Sequence, residues 1–165
     1  MKKILSVLSF IGIIMLHSCT TNNDSTAKST NEVFEYSNVN FFPNDYTVLL
    51  TYPHTITNSS MVLVYRLSGT FQGAAVWKLV PETYFFNNGT LDFRYDFDFT
   101  RYNVQLKMEG FDLVTVNPEF KLNQTFRVVI IPSFSFKISS KINYKDYKSV
   151  INLFHIDESK LTKMY

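Results

Sequence analysis

The sequence predicts an all-β fold: a single antiparallel β-sandwich of about eight strands, of Ig-like or jelly-roll type, with one short C-terminal α-helix. Three observations carry this. "LDFRYDFDF" alternates without a break, with Leu91, Phe93, Tyr95, Phe97 and Phe99 on one face and Asp92, Arg94, Asp96 and Asp98 on the other. That is a strand with one buried and one wet face. Just before it, Asn88-Gly89 separates two such runs; both residues tolerate the positive φ of a tight hairpin, so about 82–87 pairs with 90–99. Short β-branched and aromatic runs then recur at roughly even spacing between turn residues, as in sandwiches. The chain has 165 residues, a length at which one domain with a real core is the natural expectation.

In chain order, the first element is a segment of three parts. Lys2 and Lys3 form a charged start, Ile4 to Leu16 an apolar stretch, and Ser18 a small residue before Cys19. This is the layout of a secretory signal peptide, too short for a comfortable membrane span. "LHSC" resembles the bacterial lipobox, with Leu16 three before the cysteine and Ser18 next to it; His17 is a less usual occupant of the middle position. The resemblance implies that residues 1–18 are a lipoprotein signal peptide and that Cys19 carries the lipid, diacylglyceryl on its thiol and a further acyl chain such as palmitate on its new amine. Two or more chains hold a protein stably on a bilayer. Thr20 is not the aspartate that resembles an inner-membrane retention signal, so the expected address is the bacterial outer membrane. Cys19 is the only cysteine, which excludes an internal disulfide and any CxxC zinc or redox motif.

From Cys19 to residue 33 the expectation is a lipidated end followed by a flexible polar tether. "TTNNDSTAKSTN" has no large apolar residue and cannot offset its ordering entropy by burial. Within it, Asp24-Ser25-Thr26 resembles the three-residue O-glycosylation acceptor of Bacteroidota envelope proteins, which points to Ser25. The Asn-x-Ser/Thr matches at Asn58, Asn88 and Asn123 carry little weight in a bacterium.

The folded part is expected at 34–165. "YTVLLTY", "AAVWKLV", "YNVQLKM" and "FSFKIS" read as short strands. "MVLVYRL" and "FRVVIIP" are apolar on both parities, as central strands are. The period then changes: Tyr147, Val150, Ile151 and Phe154 fall at i, i+3, i+4 and i+7, one stripe of a helix. Asn143 is its expected N-cap, with Asp146 in the favourable first turn.

The series "VLVYRL…VWKLVPETYFF…LDFRYDFDFT…FRVVIIP" resembles short uncharacterised lipoproteins of Bacteroidota, over roughly residues 36–158. The resemblance implies an envelope address and a small all-β domain with a terminal helix, and it brings no catalytic residues.

Composition narrows the function classes. Two of the 16 basic residues, Lys2 and Lys3, lie in the expected signal peptide, leaving 14 against 14 acids. A near-neutral chain does not provide the clustered basic surface that nucleic acid requires. Asp92, Asp96 and Asp98 have the chemistry of a calcium site or paired carboxylates. Their i, i+4, i+6 spacing, with Arg94 at i+2, instead reads as a solvated strand face. His17, His54 and His155 have no metal spacing, and no HExxH, GxSxG or P-loop is present. Trp77 is either core or half-buried edge packing, or the centre of a sugar-stacking platform. Six lysines from Lys137 to Lys163 against three acids make either a solvated face or a membrane contact. The expectation is a binding or structural role on the envelope, with a protein partner first and a glycan second. A hydrolase stands third, and no cofactor, metal or nucleic-acid partner is expected.

Overall fold

The computed structural model describes residues 30–135 and 142–165. Nine strands are found among them: β1 (Glu32–Val39), β2 (Thr47–Thr51), β3 (Met61–Phe71), β4 (Ala74–Leu79), β5 (Glu82–Phe85), β6 (Leu91–Phe99), β7 (Asn103–Gly110), β8 (Gln124–Ile131) and β9 (Thr162–Met164). Two helices accompany them, α1 (Pro118–Lys121) and α2 (Tyr147–Leu153). The strands form a five-stranded sheet of order β4-β3-β8-β1-β9 and a four-stranded sheet of order β2-β7-β6-β5. Every neighbouring pair is antiparallel except β1 and β9. The fold is the expected β-sandwich, and it does not close into a barrel.

Two layers of core explain the two kinds of strand pattern. Phe34, Tyr36, Val62, Val64, Phe126, Val128 and Ile130 of the first sheet face Leu50, Phe93, Tyr95, Val104, Leu106 and Met108 of the second. On the opposite face of the five-stranded sheet, Val33, Tyr65, Val129 and Ile131 meet Tyr147, Val150, Ile151, Phe154 and Ile156 from α2 and the chain after it. The five-stranded sheet is therefore covered on both sides, and Val128, Val129, Ile130 and Ile131 are all at 0% exposure. This is why "FRVVIIP" is apolar on both parities, whereas β6, wet on its outer face, alternates.

The terminal helix buries the predicted stripe. Its cap differs from the expectation: Asp146 is the N-cap, and its carboxylate accepts from the Lys148 and Ser149 N–H groups. Asn143 instead caps the turn before it, accepting from the Lys145 N–H. Asp146 is in an extended conformation (φ −91°, ψ 101°), so the helix cannot start three residues earlier. The Tyr144 carbonyl at that turn is held by the Tyr65 hydroxyl at 2.8 Å.

"FSFKIS" does not open as a strand, because Pro132 ends β8 and Ser133–Ser135 form a 3₁₀ turn; residues 136–141 lie outside the described residues. At the other margin, β1 begins at Glu32, ahead of the expected 34. The segments expected as signal peptide and most of the tether are outside the described residues.

Register gives the sandwich two distinct ends. Glu32 pairs opposite Ile130, and Met61 opposite Ile131; the His54 imidazole 3.0 Å from Glu32 and the Tyr36 hydroxyl donating to the Thr51 carbonyl bring the second sheet to the same level. This entry end therefore also holds the β6–β7 turn after Phe99. The far end holds Phe71, Phe85, Leu91, Gly110 and Gln124. Among the described residues no helix is long and apolar enough to cross a membrane.

Candidate functional site

Of the residues singled out from sequence, His17, Cys19 and Ser25 lie outside the described residues. Trp77 on β4 is half-buried and packs against the outer core under α2. The Arg127 guanidinium covers its ring at 4.2 Å, and the Tyr147 ring lies 5.6 Å away. Arg127 is fixed in turn: it donates to Glu35 at 2.9 Å, to the Tyr147 hydroxyl at 2.8 Å and to Glu158 at 2.6 Å. Burial opposes its charge, but Tyr147 and Glu35 outweigh that and hold its pKa above the ordinary value. A cleft of about 410 Å³ opens beside this cluster. The rings around Trp77 are themselves buried, Tyr65 at 0% and Tyr147 at 5% exposure. The local arrangement docks α2 onto the sheet.

Asp96 and Asp98 of β6 are ion-paired along the wet face of the second sheet. Arg94 bridges Asp96 at 3.2 Å and Glu109 at 2.7 Å, and Lys107 pairs with Asp98. Among the described residues no group of three or more His, Cys, Asp or Glu is placed to hold a metal ion. His54 is taken up by Glu32 and by an edge contact with the Phe34 ring at 5.9 Å. His155 follows α2 at a φ of 50°.

Sequence reading missed a buried ionic network between the sheets. Arg66 on β3 is 4% exposed and Glu82 on β5 is 8% exposed. Arg66 donates to both carboxylate oxygens of Glu82, at 2.8 and 3.2 Å, to the Tyr84 hydroxyl at 2.6 Å and to the Gln124 amide oxygen at 3.0 Å. Its guanidinium also lies 4.9 Å from the Tyr95 ring centre. Burial is the largest influence on Glu82 and works against its charge, yet the hydrogen bonds from Arg66 and Tyr84 together hold its carboxyl below the ordinary range. Burial and the carboxylate beside it push the Tyr84 hydroxyl up to about 12. The signal was legible in principle, since Arg66 shares the inward parity of Val62 and Val64.

The far end carries the feature that the core does not use. Phe71, Phe85, Phe86, Leu91, Phe111 and Val114 are all exposed there, Phe111 at 85% and Val114 at 71%. Phe85 is the register partner of Leu91, the Phe86 N–H donates to the Thr90 carbonyl, and the Phe111 N–H donates to the Asp92 carbonyl. These bonds draw four large apolar side chains to one rim. Phe71 stands at the tip of the β3–β4 hairpin, which extends past the start of β8. Gly110 makes the rim possible: a Cβ there would lie 2.5 Å from the Asp92 carbonyl oxygen and 2.9 Å from the Phe93 Cα. Parity puts Leu91 on the inward face, but it sits beyond the last layer of core and stays exposed. Soluble surfaces rarely gather apolar groups in this way without a partner to cover them.

No protein family, curated protein or solved structure matches the chain.

Proposed function

We propose that this chain is a lipid-anchored bacterial envelope lipoprotein whose far end binds a partner protein, and that it is not an enzyme. The anchor rests on the signal and "LHSC" pattern ending at Cys19, and the outer-membrane address on Thr20. The binding role rests on one observation: the exposed rim of Phe85, Phe86, Leu91, Phe111 and Val114, at the end opposite the one where the chain enters the sandwich. A tethered protein with such a rim presents it away from its point of attachment, toward other envelope components. A glycan module needs an open ring face, and Arg127 occupies one face of Trp77, so the protein partner is preferred.

Two experiments divide the proposal. Replacing Cys19 by Ala is expected to shift the chain from the membrane to the soluble fraction and change its mobility; unchanged behaviour contradicts the anchor. Replacing Phe111 and Val114 together by Ser is expected to reduce the size of the detergent-extracted assembly while leaving the melting temperature of the isolated domain within a few degrees. An assembly of unchanged size contradicts the rim as the binding surface.

A further inference from the structure

We infer that the entry end of the sandwich seats on the lipid surface through the β6–β7 turn, with Phe99 and Tyr102 lying in the headgroup layer. The inference rests on the lipoprotein reading above and adds an orientation to it.

The geometry comes from three contacts. The Tyr52 N–H donates to the Tyr102 carbonyl at 2.9 Å, and the Ile56 N–H to the Arg101 carbonyl at 3.0 Å. Through His54 and its 3.0 Å contact to Glu32, the same loop reaches the first residue of β1. The turn and the chain's point of entry therefore belong to one surface. From Cys19 to Glu32 there are 13 residues, which span at most about 45 Å however they are arranged. The tether joins the domain at the entry end, and the far end lies farther from that junction by the length of the strands, roughly 26 Å for eight residues.

The chemistry of the surface fits a lipid headgroup layer. Phe99, the last residue of β6, is 45% exposed, and Tyr102 in the turn after it is 58% exposed. Tyrosine is favoured at a membrane interface because it has an apolar ring and a polar tip. The residues facing the same way, Pro53 to Ser60 and Thr100 to Asn103, include Arg101 and His54 and no carboxylate. The nearest exposed acids are engaged, Asp98 with Lys107 and Asp157 with Lys160. A surface with two exposed rings, on which Asp98 and Asp157 are each paired with a lysine, suits the interfacial layer of a bilayer. The far-end rim is different, because Asp92, Glu109, Asp112 and Glu119 outnumber Arg94 and Lys121 around it.

The test uses the full lipid-bearing chain with Tyr102→Trp, reconstituted into vesicles of phosphatidylethanolamine and phosphatidylglycerol whose acyl chains are brominated near the headgroup. Wild type, with Trp77 alone, gives the background, and Phe111→Trp is the far-end control. The expected result is that the added Tyr102→Trp emission shifts to the blue and is quenched by the brominated lipid, while that of Phe111→Trp is not. Phe99→Trp is expected to behave as Tyr102→Trp does. If the chain floats with the vesicles but neither entry-end variant is quenched, the seating is wrong and the anchor stands. Equal quenching at both ends also overturns the seating, because the domain then has no fixed orientation. If the chain does not float with the vesicles at all, the anchor fails and the seating fails with it.

Discussion

Arg66 and Glu82 show what single residues contribute to this fold. A buried ion pair is costly to assemble and far more costly to break by halves, because the remaining charge keeps no partner. Arg66→Met alone is expected to lower unfolding stability by about 3–5 kcal/mol, whereas Arg66→Met with Glu82→Leu recovers most of that loss. Urea denaturation of the two variants beside wild type measures the difference. The pair also sets a pH dependence. Glu82 holds its proton less tightly in the fold than when unfolded, so its contribution is fully present above the ordinary carboxylate range, near about 4.3. It is lost as pH falls through the lower folded value. In Glu82→Gln the urea midpoint is expected to fall less steeply than in wild type below about pH 4.3; an equal slope would assign the acid sensitivity to other groups.

At the scale of elements, α2 is held by a cap, a stripe and a stacked cation. Asp146→Ala removes a carboxylate that accepts two N–H groups and is expected to lower the melting temperature by a few degrees. Asn143→Ala is expected to shift it clearly less, since it caps only the preceding turn, and thermal melting of both variants separates the two caps. The strands divide in the same physical terms. β6 and the hairpin before it were legible because one face is wet, so the two-residue period survives in the sequence. β3 and β8 were legible as central strands because both their faces are buried. β1 was not marked out as a strand, since Val33 and Phe34 are neighbours buried on opposite faces, which erases alternation. β9 has three residues, too few to show any period. The helix stripe came through intact, but its cap did not, because Asn143 and Asp146 are equally good capping residues and only the path of the chain chooses between them.

The same limit explains the candidate sites. Trp77 could be weighed only as a ring in a short strand until Arg127, fifty residues later in the chain, was seen covering it. The far-end rim is hidden because Leu91 carries the parity of the buried Phe93 and Tyr95, and Phe85 ends a strand too short to show which face it takes. What exposes them is where the second sheet stops, a property of strand lengths and pairing that no local pattern encodes. Gly110 is the local clue that remains: Gly110→Val is expected to lower the melting temperature by several degrees, through the close approach of the Asp92 carbonyl.

The whole molecule reads as a short pillar with different chemistry at its two ends. Rings and a guanidinium lie where the chain enters, an apolar rim with acidic neighbours lies opposite, and the ion-paired face of the second sheet lies between. The central claim is that the rim is the surface a partner protein covers. Site-specific photo-cross-linking on intact envelopes tests it most directly, with the reactive side chain placed at Phe111, at Val114, or at Gln105 on the wet face of the second sheet. The account predicts one discrete adduct from Phe111 and Val114 and none from Gln105. Adducts of the same size from all three positions, or from Gln105 alone, would contradict it.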